Sequence, residues 1–223
     1  MNTFWYAPAM FNLKREKPAP AFWKWFVENE DALFKTVDPN AAIYEFLAER
    51  LKKVHESLVF EMSAAAESPR EFVISADGDR EAFFAVEELA DAAPPLPRWK
   101  ITRFRPRVPD YASTSLQFGE HILKAEEIEY QLLAGRDRKT GQVSLAVRLF
   151  MPGCTREGDP DFLNMGFLLL DCALGEYDIE TKLNMVEILP VNQQAEGPRY
   201  PFASLREHFD DAFEDALAGP SAG

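Results

Sequence analysis

An order of elements that occurs twice along the chain does most to limit the fold. Two strands, a helix and a strand are read from Leu58 to Arg107, and the same order from Ile128 to Pro190. In the first stretch Leu58, Phe60 and Met62 alternate with Val59, Glu61 and Ser63. Phe72, Ile74 and Ala76 then alternate with Val73, Ser75 and Asp77. This period of two marks strands with one buried face. Ser68-Pro69-Arg70 turns the chain between them. A helix opens near Asp79, carries Phe83, Val86 and Leu89, and is ended by Pro94, Pro95 and Pro97. Trp99 to Arg107 supplies the third strand.

The second stretch follows the same plan. Ile128, Tyr130, Leu132 and Ala134 share one strand face, and Val143, Leu145, Val147 and Leu149 share another. Lys139-Thr140-Gly141-Gln142 makes the hairpin loop between them. A helix from Asp161 to Leu174 stops at Gly175. It is apolar nearly all round, which predicts deep burial. Leu183 to Leu189 is the sixth strand. The units 58–107 and 128–190 share element order but not residue identity, so a duplication and an ordinary α+β sheet both fit.

Flanking segments complete the plan. Residues 1–20 read as an irregular arm, punctuated by Pro8, Pro18 and Pro20 and made basic by Lys14, Arg15 and Lys17. Its Phe4, Trp5, Tyr6 and Phe11 suggest packing on the body. A helix pair follows. Trp23, Phe26, Val27 and Phe34 mark the first, and Ile43, Phe46, Leu47, Leu51 and Val54 the second, with Asp38 as its N-cap and Pro39 at its first position. Leu205, Phe209, Phe213 and Leu217 stripe a last helix, and 219–223 is a loose tail. The expectation is one α+β domain over 21–218. Helices pack on a mainly antiparallel sheet of about six strands.

Composition narrows the function classes. The 223 residues are 47% hydrophobic with 18 Phe, enough for a substantial core and unlike a disordered chain. A net charge of −13 repels nucleic-acid phosphates and anionic membrane surfaces. No signal peptide or membrane span is read, and Cys154 and Cys172 are expected to be free thiols. A soluble, cytoplasmic protein is expected.

Few residues point to chemistry. In an extended strand Arg103, Arg105 and Arg107 project the same way. Such a row needs anions, either the chain's own carboxylates or a bound phosphate or carboxylate. Ser75-Ala76-Asp77-Gly78-Asp79 lies between a strand and a helix. Asp77 and Asp79 could hold a hard cation or act as acid and base, or form a tight turn with Asp79 capping the helix. Asp171 interrupts the most apolar helix and needs a buried partner. A structural ion pair with the arginine strand is expected, with Glu176 and Asp178 as alternative neighbours. On that basis Asp171→Asn should lower the melting temperature. His55, His121 and His208 each stand alone. No catalytic set, transition-metal site or cofactor is implied.

At Phe22-Trp23-Lys24-Trp25-Phe26, Ser75-Ala76-Asp77-Gly78-Asp79, Ala93-Pro94-Pro95-Leu96-Pro97-Arg98-Trp99 and Arg103-Phe104-Arg105-Pro106-Arg107, the chain resembles a group of uncharacterised bacterial proteins of unknown function. The likeness covers mainly residues 22–110, with a weaker match at Leu174-Gly175-Glu176. It implies a bacterial cytoplasmic protein and transfers no catalytic residue. The leading expectation is a non-enzymatic binding or interaction protein. The alternative is a hydrolase or transferase on an anionic small molecule, with Arg103 and Arg105 holding the anion and Asp77 or Asp79 moving the proton. A partner would be a protein or such a small anion, not nucleic acid or membrane, and the sequence does not set the oligomeric state.

Overall fold

The computed structural model describes residues 17–218, apart from 66, 120, 138 and 158; the first sixteen residues of the arm and the tail 219–223 lie outside these. Seven helices and nine strands are described, in three sheets. The protein is α+β, but the expected single sheet of about six strands is divided. The first sheet has the order β1-β2-β3, from Val59–Met62, Arg70–Ser75 and Trp99–Arg103. A small hairpin pairs β4 (Ser115–Phe118) with β5 (His121–Lys124). The last sheet has the order β8-β7-β6-β9, from Leu183–Pro190, Val143–Met151, Glu129–Arg136 and Tyr200–Pro201.

The repeated element order is present in both larger sheets. β1 is antiparallel to β2, and β2 is parallel to β3 across helix α4 (Phe83–Asp91). Likewise β6 is antiparallel to β7, and β7 is parallel to β8 across α5 (Pro160–Leu174) and α6 (Glu176–Lys182). Each sheet buries one face under its own helices. Phe72 and Ile74 of β2 pack with α4 and the N-terminal helices, while Leu145, Val147 and Leu149 of β7 pack with α5 and α7 (Leu205–Ala218). The two sheets therefore have separate cores. No described helix is long and apolar enough to cross a membrane.

Local chemistry explains three departures from expectation. The N-terminal helix pair is a set of three: α1 (Pro18–Glu28), α2 (Glu30–Lys35) and α3 (Ala42–Val54). The break falls at Asn29, whose side-chain amide donates to the Trp25 carbonyl at 2.8 Å, an alternative partner that competes with the helix ladder. Asp38 accepts from the Asn40 N–H at 2.9 Å in a turn instead of capping α3. Finally, β3 ends at Arg103. Phe104 turns the chain with φ +61° and is buried against Phe83, ring centres 4.4 Å apart. Residues 105–108 then leave the sheet, so Arg103, Arg105 and Arg107 do not share a strand face.

That departing segment docks on the corner between α5 and α6. Glu176 N–H donates to the Arg105 carbonyl at 3.1 Å, and Val108 N–H donates to the Cys172 carbonyl at 2.8 Å. Arg107 Nε donates to the Leu174 carbonyl at 3.0 Å, and Arg206 Nε to the Ala173 carbonyl at 2.8 Å. Two cations thus sit on the open carbonyls of α5, where the helix dipole is negative. Gly175 forms the corner with φ +75°, and a Cβ there would lie 3.1 Å from the Arg105 carbonyl oxygen. Gly175→Ala combines a strained backbone with this contact. It is expected to cost about 1–3 kcal/mol, read as a lower urea midpoint with an unchanged m value.

Candidate functional site

The face of the first sheet that turns away from its helices carries Glu61, Glu71 and Val73. These positions alternate with the partly buried Phe60 and the buried Phe72 and Ile74. Across from them lies α5, which presents Phe167, Leu168 and Asp171 on the side opposite its core face, with Cys172 at the border between cleft and core. A cleft of about 610 Å³ lies between, closed at its ends by the turn at Asp77 and Gly78, by residues 105–108, and by α6 through Ile179 and Glu180. The expected full burial of α5 is therefore corrected. Phe167 is 41% and Leu168 50% exposed, because only one side of the helix meets the core.

Glu176 anchors the cleft. It is 2% exposed, and its carboxylate accepts backbone N–H groups from Ala76 at 2.9 Å, Arg105 at 3.0 Å and Gly78 at 3.5 Å. Asp77 (φ +54°) and Gly78 (φ +80°) are both left-handed, which gathers these amides into a concave anion receptor. The receptor is filled by the chain's own carboxylate. The turn thus holds an anion through its backbone, where its two aspartates had suggested a cation.

The five sequence candidates separate. Arg105 lines the cleft and is held by Glu61 at 2.6 Å and Asp77 at 2.7 Å. Burial by itself would lower its pKa, but hydrogen bonds to these carboxylates outweigh that and hold it above the ordinary value. Arg103 is exposed and pairs with Asp91 outside the cleft. Arg107 forks onto Asp210, with both contacts at 2.7 Å, and also reaches Asp178. Asp79 lies outside the cleft lining too. It accepts from Ser57 at 2.6 Å, a bond that holds its carboxyl below the ordinary value, and it caps the following turn through the Glu81 N–H at 3.0 Å. Every arginine of the run is therefore neutralised by carboxylates of this chain.

Asp171 corrects a further expectation. It lines the cleft, and no ion pair or side-chain hydrogen bond joins it to a described residue. Burial pushes its pKa up to about 6. Arg105 opposes the shift, and Glu176, Glu180 and Glu61 add to it. Glu180 is raised as well, first by burial and then by Glu176. Cys172 beside Asp171 is a free thiol, also raised by burial, as is Cys154. No group of three or more His, Cys, Asp or Glu side chains among the described residues is arranged to hold a metal ion.

Sequence reasoning missed Phe167, Leu168 and Glu180 as cleft residues. The signal available was the helix that is apolar all round, since a helix at the edge of a core covers one side only. Comparisons with family models, curated proteins and solved structures found no match to this chain.

Two outcomes follow. An Asp171 carboxyl raised in the folded state favours folding below its unfolded pKa, and that advantage is lost as pH rises through about 6. At neutral pH the ionised group costs on the order of 2 kcal/mol. Asp171→Asn should therefore raise the melting temperature by about 4–8 °C at pH 7.5. The gain should fade as pH drops toward 4, as scanning calorimetry at several pH values would show. Glu176→Gln replaces an acceptor oxygen with an amide donor facing a backbone N–H. A loss of about 3 kcal/mol is expected, measured by urea unfolding.

Proposed function

We propose that this is a non-enzymatic binding protein whose ligand sits in the cleft between the first sheet and α5. The observation that carries the reading is the cleft, about 610 Å³, where apolar side chains meet charged groups most of which are held by bonds within the chain. That is the make-up of a small-ligand site. Val73 forms its floor, Phe167 and Leu168 one wall, and Arg105 is immobilised by two carboxylates at its end. The chain's acidic composition and its resemblance to bacterial proteins go with a bacterial cytoplasmic setting.

The alternative, a hydrolase or transferase acting on an anion, has less behind it. Of Arg103, Arg105, Asp77 and Asp79, only Arg105 and Asp77 line the cleft, and these two are bonded to each other.

A fragment screen followed by ¹⁵N–¹H NMR on the whole protein tests the proposal. Shifts should cluster on residues 61–73, 77–78, 105–108 and 167–180. They should disappear in Val73→Phe, which fills the floor of the cleft. Fragments that bind only elsewhere, or that bind Val73→Phe unchanged, would refute it.

A further inference from the structure

We infer that the cleft takes an organic cation, an ammonium or guanidinium group attached to an apolar body. This rests on the cleft being the binding site and adds the charge and shape of what enters it. The lining holds six carboxylates and one guanidinium. Four of the carboxylates are already engaged. Glu61 and Asp77 hold Arg105, Glu71 holds Lys100 at 2.8 Å, and Glu176 is bound by backbone amides.

Asp171 and Glu180 are left. Neither makes an ion pair or a side-chain hydrogen bond with a described residue, and they approach the cleft from the two helices that meet at Gly175. Apolar side chains line the cleft with them. Phe167 is one helical turn before Asp171 on the same face, and Ile179 lines the cleft from the helix that carries Glu180. A cation between the two carboxylates would relieve their mutual repulsion, and a hydrocarbon or ring next to it would cover the exposed faces of Phe167 and Leu168. An anion meets the opposite conditions. It would face the carboxylates of Asp171 and Glu180, which Arg105 and Arg80 offset only through space, and Arg105 already has two carboxylates bonded to it.

Matched probes separate charge from shape. Phenethylammonium, phenethyl alcohol and phenylpropanoate carry the same ring with positive, neutral and negative ends. Each is titrated into the whole ¹⁵N-labelled protein. The ammonium should shift residues 167–180 and 77–78 saturably and bind about tenfold more tightly than the alcohol. The advantage should be lost in the Asp171→Asn, Glu180→Gln double variant, which keeps both side-chain shapes. It should also weaken at high salt, a second reading that needs no variant. If the alcohol or the carboxylate binds the cleft as well as the ammonium does, or if the double variant keeps the preference, the cation is wrong and the cleft survives as a site. If none of the three shifts the cleft, the inference falls, and the fragment screen then decides the cleft reading separately.

Discussion

The bond between the Glu176 carboxylate and the amides of Ala76, Gly78 and Arg105 holds the rest in place. It is charge-assisted and almost fully removed from water, so it is among the stronger polar contacts a chain can make. It joins the two sheet-and-helix units, which otherwise bury separate cores. The same contact fixes the turn at Asp77 and sets where residues 105–108 run. With both ends positioned, the open face of the first sheet and the outer side of α5 must stand apart, and the space between them is the cleft.

Charge is arranged around that bond with little left over. Arg105 and Arg107 lie two residues apart and serve different places. Arg105 braces the cleft through Glu61 and Asp77, whereas Arg107 ties the α5–α6 corner to α7 through Asp210. Arg206 and Arg107 also occupy the carbonyls at the end of α5. The arginines thus act mainly as internal fasteners. Asp171 and Glu180 are bonded to none of them. Burial raises the pKa of both, and Arg105 and Arg80 oppose that rise only through space.

Much of the architecture was legible in the sequence. The alternation around Phe60, Phe72 and Ile74 and the stop at Gly175 each carry a local physical signal, and both stand in the structure. What could not be read depended on contacts distant in the chain. Phe104 looked like one more residue of a strand, and only its burial against Phe83 shows why the chain turns there. The hairpin at 115–124 and the short strand at Tyr200–Pro201 lack a period long enough to detect. The candidate site was half visible. Arg105, Asp77 and Asp171 were singled out as chemically unusual, but their roles depended on Glu176, whose partners lie up to 100 residues away.

That separation affects how the chain can fold. Closing a segment of 100 residues is entropically expensive, and the contact that rewards closure forms only when both of its ends are already shaped. In the folded protein the amides converge through the 77–78 turn, and the carboxylate is presented just past the end of α5 at Gly175. Neither unit can satisfy the other while unfolded. A chain with two hydrophobic cores is thereby tied together by a contact that needs both units in their folded shape.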